Sequence, residues 1–115
     1  MSRLAAAVAD TADQLRAANH MTVRGPITAT EAYDVVGNLD DLARRLPQLL
    51  DFLARSLHRA DAAEYFDDRG TEPGQTLHLA DGHLDDARHG AAELTEHLIH
   101  VHNELGHLGL LTPED

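Results

Sequence analysis

The sequence predicts an all-α fold, an up-down-up bundle of two long antiparallel helices and a shorter N-terminal one. Three observations lead there. Apolar residues recur at helical spacing along two long stretches, helix breakers gather at Gly25-Pro26 and between Asp67 and Gln75, and acid–base pairs stand one helical turn apart in the middle stretch. The whole chain, residues 1–115, reads as one domain.

The first helix is expected over about residues 3–19, with Ser2 as a cap and Leu4, Val8, Ala12 and Leu15 forming a modest stripe. Gly25-Pro26 then breaks the chain, and Thr28 with Glu31 matches a capping box. The second helix is expected over about 28–62. Its apolar face is broad: Ala32, Val35, Val36, Leu39, Leu42, Ala43, Leu46, Leu49, Leu50, Leu53 and Leu57. A stripe of that width faces a core rather than a narrow two-stranded seam. Asp40 with Arg44, Asp41 with Arg45 and Asp51 with Arg55 read as a solvated outer face. Pro47 loses a hydrogen bond and crowds the preceding turn, so a kink is expected there; a break with Pro47 opening a new helix is the alternative. Tyr65-Phe66 is expected to anchor the end of this helix to the core.

Residues 67–75 read as a flexible acidic loop, and the third helix as 76–108, with Pro113 preventing continuation. Its apolar line is Leu77, Ala80, Leu84, Ala87, Ala91, Leu94, Leu98, Val101, Leu105 and Leu108. Gly82 and Gly90 are expected to weaken it. A short first helix cannot cover two such long partners, so part of the apolar surface should stay open in a monomer. A homodimer is the expectation, with Leu84, Leu94, Leu98, Val101, Leu105, Leu46, Leu49 and Leu53 as its interface.

Composition narrows the function. Nine arginines against twenty Asp and Glu give a formal net charge of −11 with histidines neutral, which disfavours nucleic acid and anionic membranes as partners. The absence of cysteine removes disulfides, thiolate catalysis and Cys-based zinc sites. The apolar run Leu4 to Ala9 is too short for a signal core or a membrane span, so a cytoplasmic protein is expected. No serine stands in a nucleophile turn, phosphate-binding glycine loops are absent, and an enzyme is not indicated.

Seven of the nine histidines fall between His78 and His107. Glu93, His97, His100 and Glu104 follow one another at helical spacing, so neighbouring pairs can present imidazole nitrogen and carboxylate oxygen to one divalent metal ion. A full ligand shell needs another helix, a second subunit or water. Asp86 with His89 and Glu104 with His107 resemble the acid-x-x-His element of ferritin-like di-iron proteins, but lie opposite the apolar line. A hydrated polar face is the simpler reading, and no cofactor is required. Protonation of the histidines would carry the charge toward about −2 near pH 5, with His83 and His97 flanking the apolar line.

The stretch Gly25 to Leu50, from Gly-Pro-Ile-Thr-Ala-Thr-Glu to Arg-Arg-Leu-Pro-Gln-Leu-Leu, resembles small actinomycete proteins of unassigned function. It brings no active residue with it. A likeness to small secreted helical hairpins with a Trp-x-Gly turn is set aside, because tryptophan is absent. Three functions follow as expectations: an interaction module that dimerises and binds an unidentified protein partner, a metal-binding bundle using the His/Glu stripe, and an acidic mimic of nucleic acid that occupies a basic protein.

Overall fold

Each of the first two helices starts where a hydroxyl side chain takes up an otherwise orphaned backbone N–H. In the computed structural model, which describes residues 2–111, Ser2 Oγ accepts from Ala5 N and α1 runs Arg3–Met21. Thr28 Oγ1 accepts from Glu31 N at 3.1 Å and also contacts the Glu31 carboxylate, and α2 runs Ala29–Arg59. Helix α3 runs Pro73–Leu105. Short 3₁₀ turns stand at Thr22–Arg24 and Ala62–Glu64, and no strand occurs among the described residues. The two long helices pack against each other and the shorter one precedes them.

Differences from the expected boundaries have local causes. α3 begins at Pro73 instead of residue 76, because proline at the first helical position gives up only an N–H that would be orphaned anyway. It passes through Gly82 and Gly90 and ends at Leu105 instead of residue 108, with Gly106 as C-cap; Pro113 lies outside the described residues. α2 runs through Pro47 as one helix. It ends at Arg59 instead of residue 62, since Ala60 turns extended (ψ 134°) and Asp61 caps the 3₁₀ turn by accepting from Ala63 N. That exit carries Tyr65 and Phe66 into solvent. Phe66 is 87% exposed, so the expected aromatic anchor does not form.

The acidic segment after α2 is organised by Asp67. Its carboxylate accepts from the Arg69 backbone N–H and guanidinium and from Thr76 Oγ1, which ties the turn to the first turn of α3. These bonds, those from the Arg69 side chain foremost, hold the Asp67 carboxyl well below the usual carboxylate range.

Only alanines are buried among the described residues: Ala43, Ala54 and Ala91, all on the α2–α3 contact. The α3 side of that contact follows Leu77, Asp81, Leu84, Arg88, Ala91, Thr95, Leu98, His102 and Leu105, each half-buried or buried. Four of these nine residues, Asp81, Arg88, Thr95 and His102, lie off the apolar line read in the sequence. The shared set is Leu77, Leu84, Ala91, Leu98 and Leu105. Between them stand polar residues, while Ala87, Leu94, Val101 and Leu108 are exposed. Arg88 donates to Asp51 at 2.9 Å, His58 Nε2 lies 2.8 Å from Asp81, and the rings of Tyr33 and His102 stack with centroids 4.0 Å apart. These contacts fix the antiparallel register. Asp40 and Asp51 therefore border the helix contact, although the expected pairs to Arg44 and Arg55 do form.

α1 makes no close backbone approach to α2 or α3. Its Leu4 shares a shallow cleft with Arg45, Gln48, Leu49, Phe52 and Arg55 on the outer flank of α2. The described helices thus form a long hairpin with a loosely attached third member. The radius of gyration is 19.9 Å, against about 13 Å for a compact chain of this length.

Two predictions follow. Ala43→Leu should destabilise the fold by about 1–3 kcal/mol, since Ala43 is 1% exposed and the helices leave no room for three more carbons; urea unfolding measures it. Asp67→Asn should lower the melting temperature at neutral pH. The folded pKa lies below the unfolded value of about 3.9, so the carboxylate's contribution is complete above about pH 5 and is lost as pH falls through the folded value. The gap between wild type and variant should accordingly narrow below about pH 3 in a calorimetric pH series.

Candidate functional site

The residues displaced from the α2–α3 contact build the most distinctive surface of the molecule. On α2 the apolar arc runs from Ala43, against α3, through Leu39 and Leu46 to Leu53 and Val35; on α3 it runs from Ala91 through Ala87 and Leu94 to Val101. The helices meet along one edge of each arc. Because they are antiparallel, the leftover parts of both arcs point to the same side. Leu94 is 46% exposed, Val101 45% and Leu53 36%.

Toward the closed end of the hairpin this face sinks into an apolar groove of about 560 Å³, lined by Leu53, Ser56, Leu57, Ala80, His83 and Leu84. That lining draws on both helices and joins their two arcs into one surface. The other side of the hairpin is polar. There Arg88 links Asp51 and Asp85, His58 reaches Asp81, and Arg44 pairs with Asp40.

The expected interface residues therefore divide. Leu84, Leu98 and Leu105 lie half-buried on the α2 contact, whereas Leu94, Val101 and Leu53 stand on the open face. Leu46 is half-buried beside them, and Leu49 sits between the face and the cleft that Leu4 shares.

The histidine-rich stripe is where the sequence placed it, along the outside of α3. Glu93, His97, His100 and Glu104 are all exposed, and no group of three His, Asp or Glu able to hold a metal ion occurs among the described residues. Asp86 and His89 likewise share only α3, where His89 contacts the Asp85 carbonyl oxygen instead, and His107 lies beyond the end of the helix that carries Glu104. What the stripe offers is two ligands at a time on an exposed helix.

His102, Arg88 and Asp81 were not singled out by the sequence reading. The available signal was a second heptad. Asp81, Arg88, Thr95 and His102 recur every seventh residue, each four after a leucine or alanine of the contact line, opposite Asp51 and His58 on α2. Gly37 belongs to this set through close approach: a Cβ there would stand 3.0 Å from His102 Nε2.

Comparison of the chain with protein-family models, with curated proteins and with solved structures gives no match in any of the three. No helix among the described residues is long and apolar enough to cross a membrane.

Two exposed ligands bind a divalent ion weakly, so about 10 µM Zn²⁺ or Ni²⁺ should shift the melting temperature by less than about 2 °C, and the His97→Ala, His100→Ala double variant should behave as wild type. Submicromolar affinity by calorimetry, abolished by that double substitution, would show a completed shell.

Proposed function

We propose that this chain is a non-enzymatic helical interaction module that works as a homodimer through its open apolar face and presents its acidic outer surfaces to a protein partner. The observation that carries the reading is the mismatch between apolar content and burial. The sequence is 43% hydrophobic, yet the described part of the hairpin buries three alanines and no large side chain. A domain of this size ordinarily needs most of its leucines out of water, because each buried leucine contributes about 1.5–3 kcal/mol toward offsetting chain entropy. Association with a second surface supplies that burial. A symmetric pair is the simplest route, since one apolar face then covers another of the same kind.

Charge opposes the association and is outweighed locally. Two copies at −11 repel each other, but the open face itself carries leucine, valine and alanine with Ser56 and His83 in its groove and no Asp, Glu or Arg among the groove's lining, and the ion-paired edge is turned away. Screening the repulsion should therefore tighten the dimer.

Sedimentation equilibrium tests both parts. A dimer is expected at micromolar concentration, with a dissociation constant that falls between 0.05 and 0.5 M NaCl. Leu94→Glu places a carboxylate on the open face without touching the α2 contact, and should weaken the dimer at least about tenfold, or 1.4 kcal/mol, while the protein stays helical. Leu98→Asp lies on the α2 contact and should lower helix content as well. A monomeric wild type throughout this range overturns the reading.

A further inference from the structure

The open face is not uniform along its length, and the variation bears on how two copies meet. The contacts Arg88–Asp51 and His58–Asp81 fix which residues are level. Leu39 lies level with Val101, Leu46 with Leu94, and Leu53 with Ala87. The end near the start of α2 is therefore bulky, with Val35, Leu39 and Val101 standing proud, and Leu94 stands proud at the midpoint. Toward the closed end α3 presents the small Ala87 and Ala80 and α2 presents Leu53 and Ser56, and the surface sinks into the groove of about 560 Å³ that Leu57, His83 and Leu84 also line. Gly90, also exposed, removes a further side chain close to the midpoint.

We propose that the occupant of this face is a second copy of the chain, docked with its hairpin reversed, so that the bulky end of each copy fills the groove of the other. The proposal rests on the dimeric reading above and adds the geometry. The two-fold axis lies in the interface, across the helices, at the level of Leu46 and Leu94. α2 then packs antiparallel on α2 of the second copy, and α3 on α3. Leu39 and Val101 of one copy seat over Leu53 and Ala87 of the other.

Size decides between this arrangement and the unreversed one. With the axis along the helices, bulky residues meet bulky residues at one end, and at the other two grooves face each other across an apolar void. Interiors pack to crystal-like density, and an empty apolar cavity is destabilising in proportion to its volume. Reversal removes the clash and the void together. The area suffices. From Ala80 to Leu105 α3 rises about 38 Å, and two helices side by side are about 18 Å across, giving a face of roughly 680 Å² per copy. A stable interface buries about 600–1,000 Å² on each partner. A single helix from another protein would cover about half that width and leave one of the two arcs wet.

The chain has no cysteine, so single substitutions report on proximity without background. Under mild oxidation Leu46→Cys and Leu94→Cys should each form disulfide-linked dimers with themselves. Leu39→Cys should not, because its own counterpart lies about 21 Å away, but mixed with Leu53→Cys it should form the heterodimer. Gly90→Cys mixed with His97→Cys repeats the test at exposed positions outside the α2 contact, should the leucine variants fail to fold. Dimers linked through Leu39→Cys with Val101→Cys would overturn the reversed arrangement in favour of the unreversed one. A dimer that no pair on this face can link would place association elsewhere and overturn the inference. A wild type that sediments as a monomer would instead overturn the dimeric reading itself, so the two failures are distinguishable.

Discussion

The structure depends on where α2 and α3 touch. Each has an apolar arc wider than one helix contact can cover, and the line they choose runs along one edge of both arcs. Small residues set that line. Ala43, Ala54 and Ala91 let the backbones come close, and Gly37 leaves room for the His102 ring. Polar pairs then hold it. Arg88 reaching Asp51 and His58 reaching Asp81 are satisfied only in this register, and Tyr33 stacks on His102 at the other end. Partly exposed pairs of this sort contribute modestly to stability. Their larger effect is to specify one alignment among several that leucines alone would allow, as polar residues do in coiled-coil seams.

The open face is the consequence of that choice. Rotating both helices to centre the arcs on each other would bury Leu94 and Val101, but would carry Arg88 and Asp81 away from their partners. A hairpin with one apolar side and one ion-paired side results. α1 does not close it. Its stripe of Leu4, Val8 and Leu15 remains exposed, and it attaches at the outer flank of α2 beside Phe52 and Leu49. The left-handed Gly25 (φ +113°) and the following Pro26 turn the chain between α1 and α2, so α2 does not continue α1.

The acidic turn after α2 shows the same economy of local chemistry. One carboxylate, Asp67, gathers a backbone N–H, a guanidinium and a hydroxyl, and fixes the point from which α3 departs antiparallel to α2. A segment rich in acids and glycine reads as loose because charge and breakers are its visible features. Its hydrogen bonds depend on side-chain directions that composition does not reveal.

The sequence by itself determined the helices. Their number, the Ser2 and Thr28 caps, the i to i+4 acid–base pairs and boundaries within about three residues all depend on neighbours a turn or so away along the chain. It also placed the histidine stripe on the outside of α3 and foresaw that apolar surface would exceed what one short helix covers. Only the tertiary structure decided which half of each arc is used. Ala87, Leu94 and Val101 have the same periodicity as Leu84, Ala91 and Leu98, and nothing within α3 distinguishes an arc that is buried from one that is left open. The distinction comes from α2, where Asp51, His58 and Gly37 stand opposite Arg88, Asp81 and His102. Pairings between residues tens of positions apart in the chain leave no local signature, so the polar half of the contact and the open face beside it became visible only once the two helices were laid together.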